Sequence, residues 1–284
     1  MPELPEVETI RKGLEKYLVG LTVEKVEVLL PKQFVGLPND ILGAKVVSVR
    51  RKGKVTSIDL SNGKSLLVHL KLTGQLVFQK GKDIFSGGHP IPFAGDKLPA
   101  KTTHIIFHFK DGSTLFYNDI RQFGWIKVIE KEGFEKVKEV ASLGVEPFTK
   151  EFTLEKFSEI VGKSSKPIKI LLMDQEKIAG VGNIYANDAL FEAKIDPRRP
   201  SKSLNEKERK LLFEKVQEVL SDGLKYGGSS ESAYVDVEGK RGSYQDHARV
   251  YGRAGKDCLN KCGGKIKRIV IGGRGTFYCP NCQK

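Results

Sequence analysis

Apolar residues near the start of the chain recur every three or four positions, which is the pattern of one amphipathic helix. They are Val7, Ile10, Leu14, Tyr17 and Leu18. The helix is predicted to begin at about Leu4 or Pro5, because proline is favoured in a first helical turn, and to end by Gly20. The amino terminus therefore leads almost directly into a helix.

The pattern then changes to short β-rich runs in which apolar and polar residues partly alternate. These runs are TVEKVEVLL, AKVVSVRR, KVTSIDL, KSLLVHLKL, THIIFHF and STLFYND. Asn62-Gly63 and Asp111-Gly112 lie between such runs, where a two-residue hairpin turn needs positive φ. The first 130 residues are therefore predicted to form an antiparallel sandwich or barrel behind one leading helix.

Helical periodicity dominates the second half of the chain. The stretches TLEKFSEIV, KPIKILLMDQ and IYANDALFEA predict helices, and KIAGVGN predicts a turn between two of them. Ser203 and Glu206 have the spacing of a capping box before a helix that reaches about Lys225.

Three stretches without clear periodicity are predicted as connections. Residues 79–99 form a long loop, residues 131–150 a charged linker, and residues 227–242 a mobile loop of glycine, serine and charged residues. The fold class is therefore α+β with two domains. The predicted parts are an antiparallel β-sandwich domain over 1–130, the linker, a helical domain over 151–243 and a cysteine-bearing hairpin over 244–284.

The charge balance points to a polyanionic partner. Lys and Arg number 48 against 35 Asp and Glu, a net charge of +13. Such a surface favours nucleic acid, although a solubilising excess of lysine is the alternative. No apolar run is long enough to span a membrane and the start lacks a signal-peptide pattern, so a cytoplasmic location is expected.

The chain has four cysteines, all within its last 27 residues: Cys258, Cys262, Cys279 and Cys282. Paired thiolates at short spacing favour one tetrahedral Zn²⁺, and four of them leave no open coordination position, so the zinc is predicted to be structural. The intervening KIKRIVI and TFYC are predicted strands joined by GGRG, which displays Arg274. A redox cysteine pair is the alternative, but no βαβ unit accompanies it.

Three further motifs carry residue types that suit DNA. In AGVGNIYAND, Asn183 is placed to cap a helix whose N-terminus suits a phosphate; an ordinary helical corner is the alternative. VRRKGKVTS places four basic residues in five positions, which a solvated strand end also explains. In NDIRQFGW, Arg121 and Phe123 share one face of a strand end, where they could separate stacked bases, unless Phe123 packs in the core.

The amino terminus itself is a candidate catalytic group. Once Met1 is removed, Pro2 is a secondary α-amine whose pKa lies near 8, and the positive end of the helix lowers it further. A neutral amine can attack the anomeric carbon of a sugar, and Glu3 can donate or accept the proton. The alternative is a frayed chain start with no chemistry.

Together these motifs resemble the formamidopyrimidine-DNA glycosylase (Fpg) family within the Fpg/Nei group. The resemblance covers the whole chain. It rests on PELPEVET, HLKLTG, DIRQFG, LLMDQ with IAGVGNIYAND, GGSS, VYGR and the cysteine hairpin.

The resemblance implies a monomeric two-domain enzyme of base excision repair, whose second domain is of the helix-two-turns-helix type. It would bind damaged duplex DNA, flip out an oxidised purine (a formamidopyrimidine or 8-oxoguanine) and excise it. The nucleophile would be Pro2 and the acid/base residue Glu3. The Schiff base would then undergo β- and δ-elimination, which adds lyase activity at abasic sites.

The resemblance also implies which residues contact DNA. Lys54, with Arg274 and Asn183, would hold the phosphates around the lesion, supported by His69 and Glu6. Three side chains would fill the gap left by the flipped base: Leu72, Arg121 and Phe123. Lys169 and Tyr251 complete the predicted DNA contacts, and residues 227–244 would close over the everted base.

Three features depart from the family pattern. The first cysteine pair has three intervening residues in CLNKC where two are usual, and zinc tolerates both spacings. The usual HLGMTG is HLKLTG here, so that Lys71 and Leu72 replace glycine and methionine. The numbered chain includes Met1, and if Met1 were retained, the nitrogen of Pro2 would be an unreactive amide.

Two alternatives to oxidised-purine excision stay open. One is the same chemistry with a Nei-like preference for oxidised pyrimidines. The other is a damaged-DNA-binding protein without catalytic activity.

Overall fold

The computed structural model describes residues 2–88, 98–229 and 242–284. Within these ranges the chain divides into two compact units. The first unit runs to Ala141 and includes residues 226–229 and 242–243, and the second comprises 142–225 and 244–284.

The first unit begins with helix α1, Leu4–Leu18, as the apolar spacing predicts. Its buried residues include Val7, Ile10, Leu14 and Leu18, and the last three pack into the core of the unit. Val19 is extended and ends the helix just before Gly20, whose φ is +96°. The predicted leading helix is confirmed.

Two five-stranded sheets follow α1, in the orders β1-β8-β9-β6-β7 and β2-β10-β5-β4-β3. All neighbouring pairs are antiparallel except β2 with β10. The strands are β1 Val23–Val28, β2 Phe34–Val35, β3 Val46–Lys52, β4 Val55–Leu60, β5 Lys64–His69, β6 Gly74–Lys80, β7 Asp83–Gly88, β8 Thr103–Phe109, β9 Thr114–Asp119 and β10 Trp125–Glu130.

One apolar core joins α1 to residues of both sheets, which confirms the predicted antiparallel sandwich. Gly63 and Gly112 have φ of +80° and +81° in the β4–β5 and β8–β9 turns, as the two hairpin motifs predict. The predicted loop over 79–99 is wrong for its first part, because β7 pairs with β6 across a turn at Gly81. Residues 89–97 lie outside the described residues.

The predicted linker over 131–150 differs from the structure. Residues Lys131–Lys136 form a 3-10 helix and Lys138–Ala141 form α2, both within the first unit. The reason is burial, because Phe134 and Val140 pack with Val55 and Leu67 of the sheet. Two apolar side chains among many charged ones are enough to fix this segment to the sandwich.

The second unit is mainly helical. Its helices are α3 Leu154–Gly162, α4 Ile168–Met173, α5 Asn183–Glu192, α6 Glu206–Lys225 and α7 Tyr244–His247. Strands β11 Lys267–Ile271 and β12 Arg274–Tyr278 form a hairpin, with Gly272 and Gly273 at positive φ in the turn. No helix in the described ranges is both long and apolar enough to cross a membrane.

The predicted capping box of α6 is wrong by two residues. Asn205 caps the helix, since its Oδ1 accepts the N–H of Glu208 at 3.0 Å and Glu208 Oε2 accepts the N–H of Asn205 at 2.8 Å. Ser203 instead donates to the carbonyl of Pro200 in a 3-10 turn. Glu208 also pairs with Arg199, so this register satisfies both groups.

Candidate functional site

Pro2 and Glu3 are buried at the start of α1. The N–H of Glu3 donates to Glu6 Oε2 at 2.8 Å, and Glu6 Oε1 accepts the N–H of Ser229 at 2.8 Å. Gly228 has φ +86°, and a Cβ there would lie 2.8 Å from Glu6 Cγ. The carboxylate of Glu6 therefore ties the amino terminus to the Gly228–Ser229 segment. Residues 230–241 of the predicted lesion-covering loop lie outside the described residues.

Lys54 is nearly buried, at the turn between β3 and β4. The pKa of His69 is lowered to about 3, first by burial and then by the charges of Lys71 and Lys54. Lys54 therefore lies close enough to His69 to act on it electrostatically. His69 Nδ1 accepts the N–H of Lys71 at 3.1 Å, so the neutral ring carries its proton on Nε2. His69 is therefore a neutral hydrogen-bond donor at physiological pH.

The other basic residues of the β3–β4 turn bind carboxylates. The ion pairs are Arg50–Asp59, Arg51–Glu8 and Lys52–Glu135. The cluster in VRRKGKVTS is therefore largely neutralised within the first unit, and the nearly buried Lys54 differs from it in environment.

Arg121 and Phe123 follow the end of β9, and Phe123 is 54% exposed. The Arg121 guanidinium lies 5.0 Å from the centre of the Phe123 ring. Core packing of Phe123 is thus excluded, and the cation beside an exposed aromatic ring is present as predicted. Leu72 is half-buried in the turn between β5 and β6.

Asp119 is a residue that the sequence did not single out, and it organises this surface. It is completely buried, and its Oδ1 accepts the hydroxyl of Thr73 and the N–H of Arg121. Its Oδ2 accepts the N–H of Gly124 at 2.8 Å and Nε2 of Gln33 at 2.9 Å. One carboxylate therefore fixes both the loop that carries Arg121 and the turn that carries Leu72.

In the second unit, Lys169 is completely buried and its ammonium donates to the Gly275 carbonyl at 3.1 Å and to Thr276 Oγ1 at 2.6 Å. Lys169 therefore faces the hairpin in this structure. Asn183 was expected to cap α5, but Gly182 occupies the N-cap position and Asn183 Nδ2 donates to the same Gly275 carbonyl at 3.1 Å. Both residues hold the strand that begins at the exposed Arg274.

Tyr251 is held by Asp188, another residue that the sequence did not reveal. The buried carboxylate of Asp188 accepts the N–H of Tyr251 at 3.0 Å, those of Arg249 and Val250, and the Tyr244 hydroxyl. Burial raises the pKa of Asp188, and these hydrogen bonds oppose the effect. A DNA contact by Tyr251 stays a prediction.

The four cysteines converge at the base of the hairpin. Their Sγ atoms all lie within 4.8 Å of one another, with Cys258–Cys282 at 3.6 Å and Cys262–Cys279 at 3.5 Å. A tetrahedral ion with Zn–S bonds of about 2.3 Å requires sulfurs about 3.8 Å apart. The donor set and its spacing fit one structural Zn²⁺, which confirms the predicted cofactor.

Comparison with known proteins agrees with this architecture. Residues 1–126 match the family profile of the formamidopyrimidine-DNA glycosylase N-terminal domain, residues 143–235 that of its H2TH domain, and residues 255–284 that of a zinc finger found in FPG and IleRS. The fold and the cysteine site thus define a helix-two-turns-helix protein with a zinc finger.

Curated relatives match over their full length. The formamidopyrimidine-DNA glycosylases of Listeria innocua and of a Listeria monocytogenes strain are 39% and 40% identical, with 100% of both chains covered. The chain belongs to the formamidopyrimidine-DNA glycosylase family.

Solved structures of Lactococcus lactis Fpg are also similar. A complex with DNA containing an abasic site has a TM-score of 0.87 at 33% identity, with 99% of each chain covered. A mutant bound to Fapy-dG DNA gives 0.88 at 33%, and the wild type bound to DNA with an oxidised pyrimidine gives 0.86 at 34%, both covering 100% of each chain.

Proposed function

We propose that this chain is a bifunctional DNA glycosylase and AP lyase of base excision repair, which removes formamidopyrimidines and 8-oxoguanine from duplex DNA. The observation that carries the proposal is the buried start of α1, where Pro2 and Glu3 precede a carboxylate bonded to both Glu3 and Ser229. The abasic-site and Fapy-dG complexes of the Lactococcus lactis relatives support the substrate class.

The chemistry starts at the nitrogen of Pro2 after removal of Met1. Its lone pair forms a bond to C1′ of the damaged nucleotide while the bond from C1′ to the base breaks, and the departing base takes up a proton. Glu3 transfers protons as the sugar ring opens to an iminium. Successive β- and δ-elimination expel the 3′ and 5′ phosphates, and water then releases the sugar fragment from Pro2.

DNA binding relies on cations and on neutral hydrogen-bond donors. Lys54, Asn183 and Arg274 contact phosphates around the damaged nucleotide, and His69 adds a neutral N–H. Lys169 acts through the Gly275 carbonyl, which keeps Arg274 in place. Since each phosphate contact releases counterions, lesion binding weakens steeply as salt rises.

Leu72, Arg121 and Phe123 fill the space that the flipped base leaves. Extrusion of a base costs a few kcal/mol, so side chains that replace its stacking hold the duplex open. The exposed ring of Phe123 and the adjacent Arg121 guanidinium suit this task. Leucine is branched and less adaptable than the methionine usual at its position.

The enzyme is expected to act as a monomer on DNA in the bacterial cytoplasm. The family membership and the bacterial origin of its relatives support this assignment.

The proposal is tested with the wild-type protein on duplexes that contain 8-oxoguanine, a formamidopyrimidine, an oxidised pyrimidine, an abasic site or no lesion. We expect excision of the two purine lesions, and borohydride should trap a covalent adduct whose peptide map places the sugar on Pro2. Intact mass of the untreated protein should show that Met1 is absent.

The same panel separates the alternatives. Faster excision of the oxidised pyrimidine than of either purine lesion would support the Nei-like preference, which the complex of a relative with such DNA keeps open. Lesion binding with no trapped adduct would indicate a binding protein without catalysis. A sugar attached to another side chain would overturn the assignment of Pro2.

Asp119→Asn is expected to slow excision about ten-fold and to lower the free energy of unfolding by about 1–3 kcal/mol. Each oxygen of Asp119 accepts two hydrogen bonds, so the NH₂ group of an asparagine would face two groups that now donate to Asp119. Because two donors cannot bond to each other, the Arg121 loop or the Leu72 turn would shift. Excision rates and urea unfolding measure the two effects. Fluorescence of 2-aminopurine beside the lesion reports how well the duplex is held open.

The matched control is Asp111→Asn at the opposite end of β9. Asp111 Oδ1 accepts from Ser113 in the β8–β9 turn and Oδ2 pairs with Lys80, so this variant also converts a hydrogen-bonded carboxylate into an amide. Its excision rate and fluorescence should remain near those of the wild type. Equal losses in the two variants would show that Asp119 has only a general structural role.

A further inference from the structure

The first cysteine turn contains one residue more than the second. Three residues separate Cys258 from Cys262, and two separate Cys279 from Cys282. Lys261 takes up the extra length, because its φ is +52° and its N–H donates to the Cys258 carbonyl at 3.0 Å. The turn thus closes with a non-glycine residue in the left-handed region. The residue before it, Asn260, lies in the middle of this longer turn.

Asn260 forms hydrogen bonds to a cysteine sulfur of each turn. Its backbone N–H donates to the sulfur of Cys258, and its side-chain Nδ2 lies 3.5 Å from Cys282 Sγ. In the second turn, the backbone N–H groups of Asn281 and Cys282 donate to the sulfur of Cys279. Cys282 Sγ therefore receives an N–H from the side chain of the longer turn, across the metal site.

N–H donors stabilise a zinc–thiolate site because the site carries negative charge. Four thiolates around Zn²⁺ leave a net charge of −2 on the site, and N–H groups directed at sulfur spread that charge. Loss of an outer hydrogen-bond partner of a metal ligand typically lowers metal affinity by 10–100-fold. Because Asn260 is exposed, water competes for the bond and the lower end of that range applies.

We propose that Asn260 is a positioning residue of the zinc site, which links the two cysteine turns and stabilises the metal-bound thiolate of Cys282. The extra residue of the first turn is what places this amide over the opposite sulfur. The proposal concerns the metal site alone and stands whether or not the chain excises bases.

The test compares Asn260→Ala and Asn260→Asp with Asn281→Ala in the full-length, zinc-loaded protein. Asn281 is also exposed, and its side-chain amide donates to the Cys262 carbonyl at 3.4 Å. The control therefore removes the same amide near the same metal without removing a side-chain hydrogen bond to sulfur. Zinc transfer to an excess of a chromogenic chelator gives the release rate. Cobalt-substituted protein gives the sulfur-to-metal charge-transfer band.

We expect Asn260→Ala to release zinc about ten-fold faster than the wild type and to shift the cobalt band to lower energy. Asn260→Asp should release zinc faster still, because a carboxylate then faces a thiolate. Asn281→Ala should stay within about two-fold of the wild type. Equal release rates and unshifted bands for Asn260→Ala and the control would overturn the proposal, as would equal acceleration of both.

Discussion

Pro2→Gly is expected to abolish base excision, with a rate at least about 10³-fold below that of the wild type. The secondary amine of proline gives an iminium that is permanently cationic and therefore a constant electron sink. Glycine gives a primary amine, whose imine must hold a proton to act in the same way, and it also removes the buried ring that fixes the nitrogen. Single-turnover excision of 8-oxoguanine and borohydride trapping measure the loss.

Glu3→Gln is expected to have an effect of similar size because it removes the proton while keeping the shape of a buried side chain. Affinity for lesion DNA should fall by no more than about three-fold in either variant, since phosphate contacts dominate binding. A chain with one extra residue before Pro2 should be equally inactive, because its proline nitrogen is an amide.

Glu8→Gln is the matched control on the same helix. Glu8 pairs with Arg11 and Arg51, so its neutralisation weakens ion pairs without touching the amino terminus. Excision should remain near the wild-type rate. Unchanged turnover in Pro2→Gly or Glu3→Gln would refute the catalytic assignment, whatever the behaviour of the control.

Removal of zinc is expected to lower the affinity for lesion DNA by at least about 100-fold. A two-stranded hairpin is marginal by itself, and the four cysteines belong to a small core with Phe191, Val250, Ile266 and Phe277 of β12. Without the metal this core loosens. The hydrogen bonds from Lys169 and Asn183 to the Gly275 carbonyl then no longer hold Arg274 in place. Fluorescence anisotropy on a lesion duplex measures the affinity.

Cys279→Ser should reproduce the effect of chelation. Zinc added back should restore binding to the chelated wild type and should not restore it to the variant. Arg274→Ala, with zinc bound, should show how much of the loss comes from this one side chain. Full affinity in a metal-free sample would contradict the role assigned to the hairpin.

Some elements were predictable because their determinants are close together along the chain. The spacing of Val7, Ile10 and Leu14 predicts α1, and the Asn62-Gly63 and Asp111-Gly112 pairs predict two hairpin turns. The spacing of the four cysteines predicts the zinc site. Each depends on a local period, a local φ or the reach of neighbouring side chains.

Other elements could not be predicted because two alternatives fit the local sequence equally well and tertiary contacts decide between them. Ser203 with Glu206 and Asn205 with Glu208 both satisfy the capping pattern, and the pairing of Glu208 with Arg199 favours the second. Strand β7 was not predicted, because its pairing with β6 at the end of the sheet, rather than its own composition, makes it a strand.

By itself, the sequence determined the fold class, the family resemblance, the nucleophile candidate and the metal. The tertiary structure alone decided the surroundings of these groups. It revealed that Asp119 and Asp188 organise the surfaces that carry Arg121 and Tyr251, and that Lys169 faces the hairpin. The physical reason is that a buried polar group must find partners wherever the folded chain brings them. Those partners lie as far away in sequence as the 223 residues between Glu6 and Ser229.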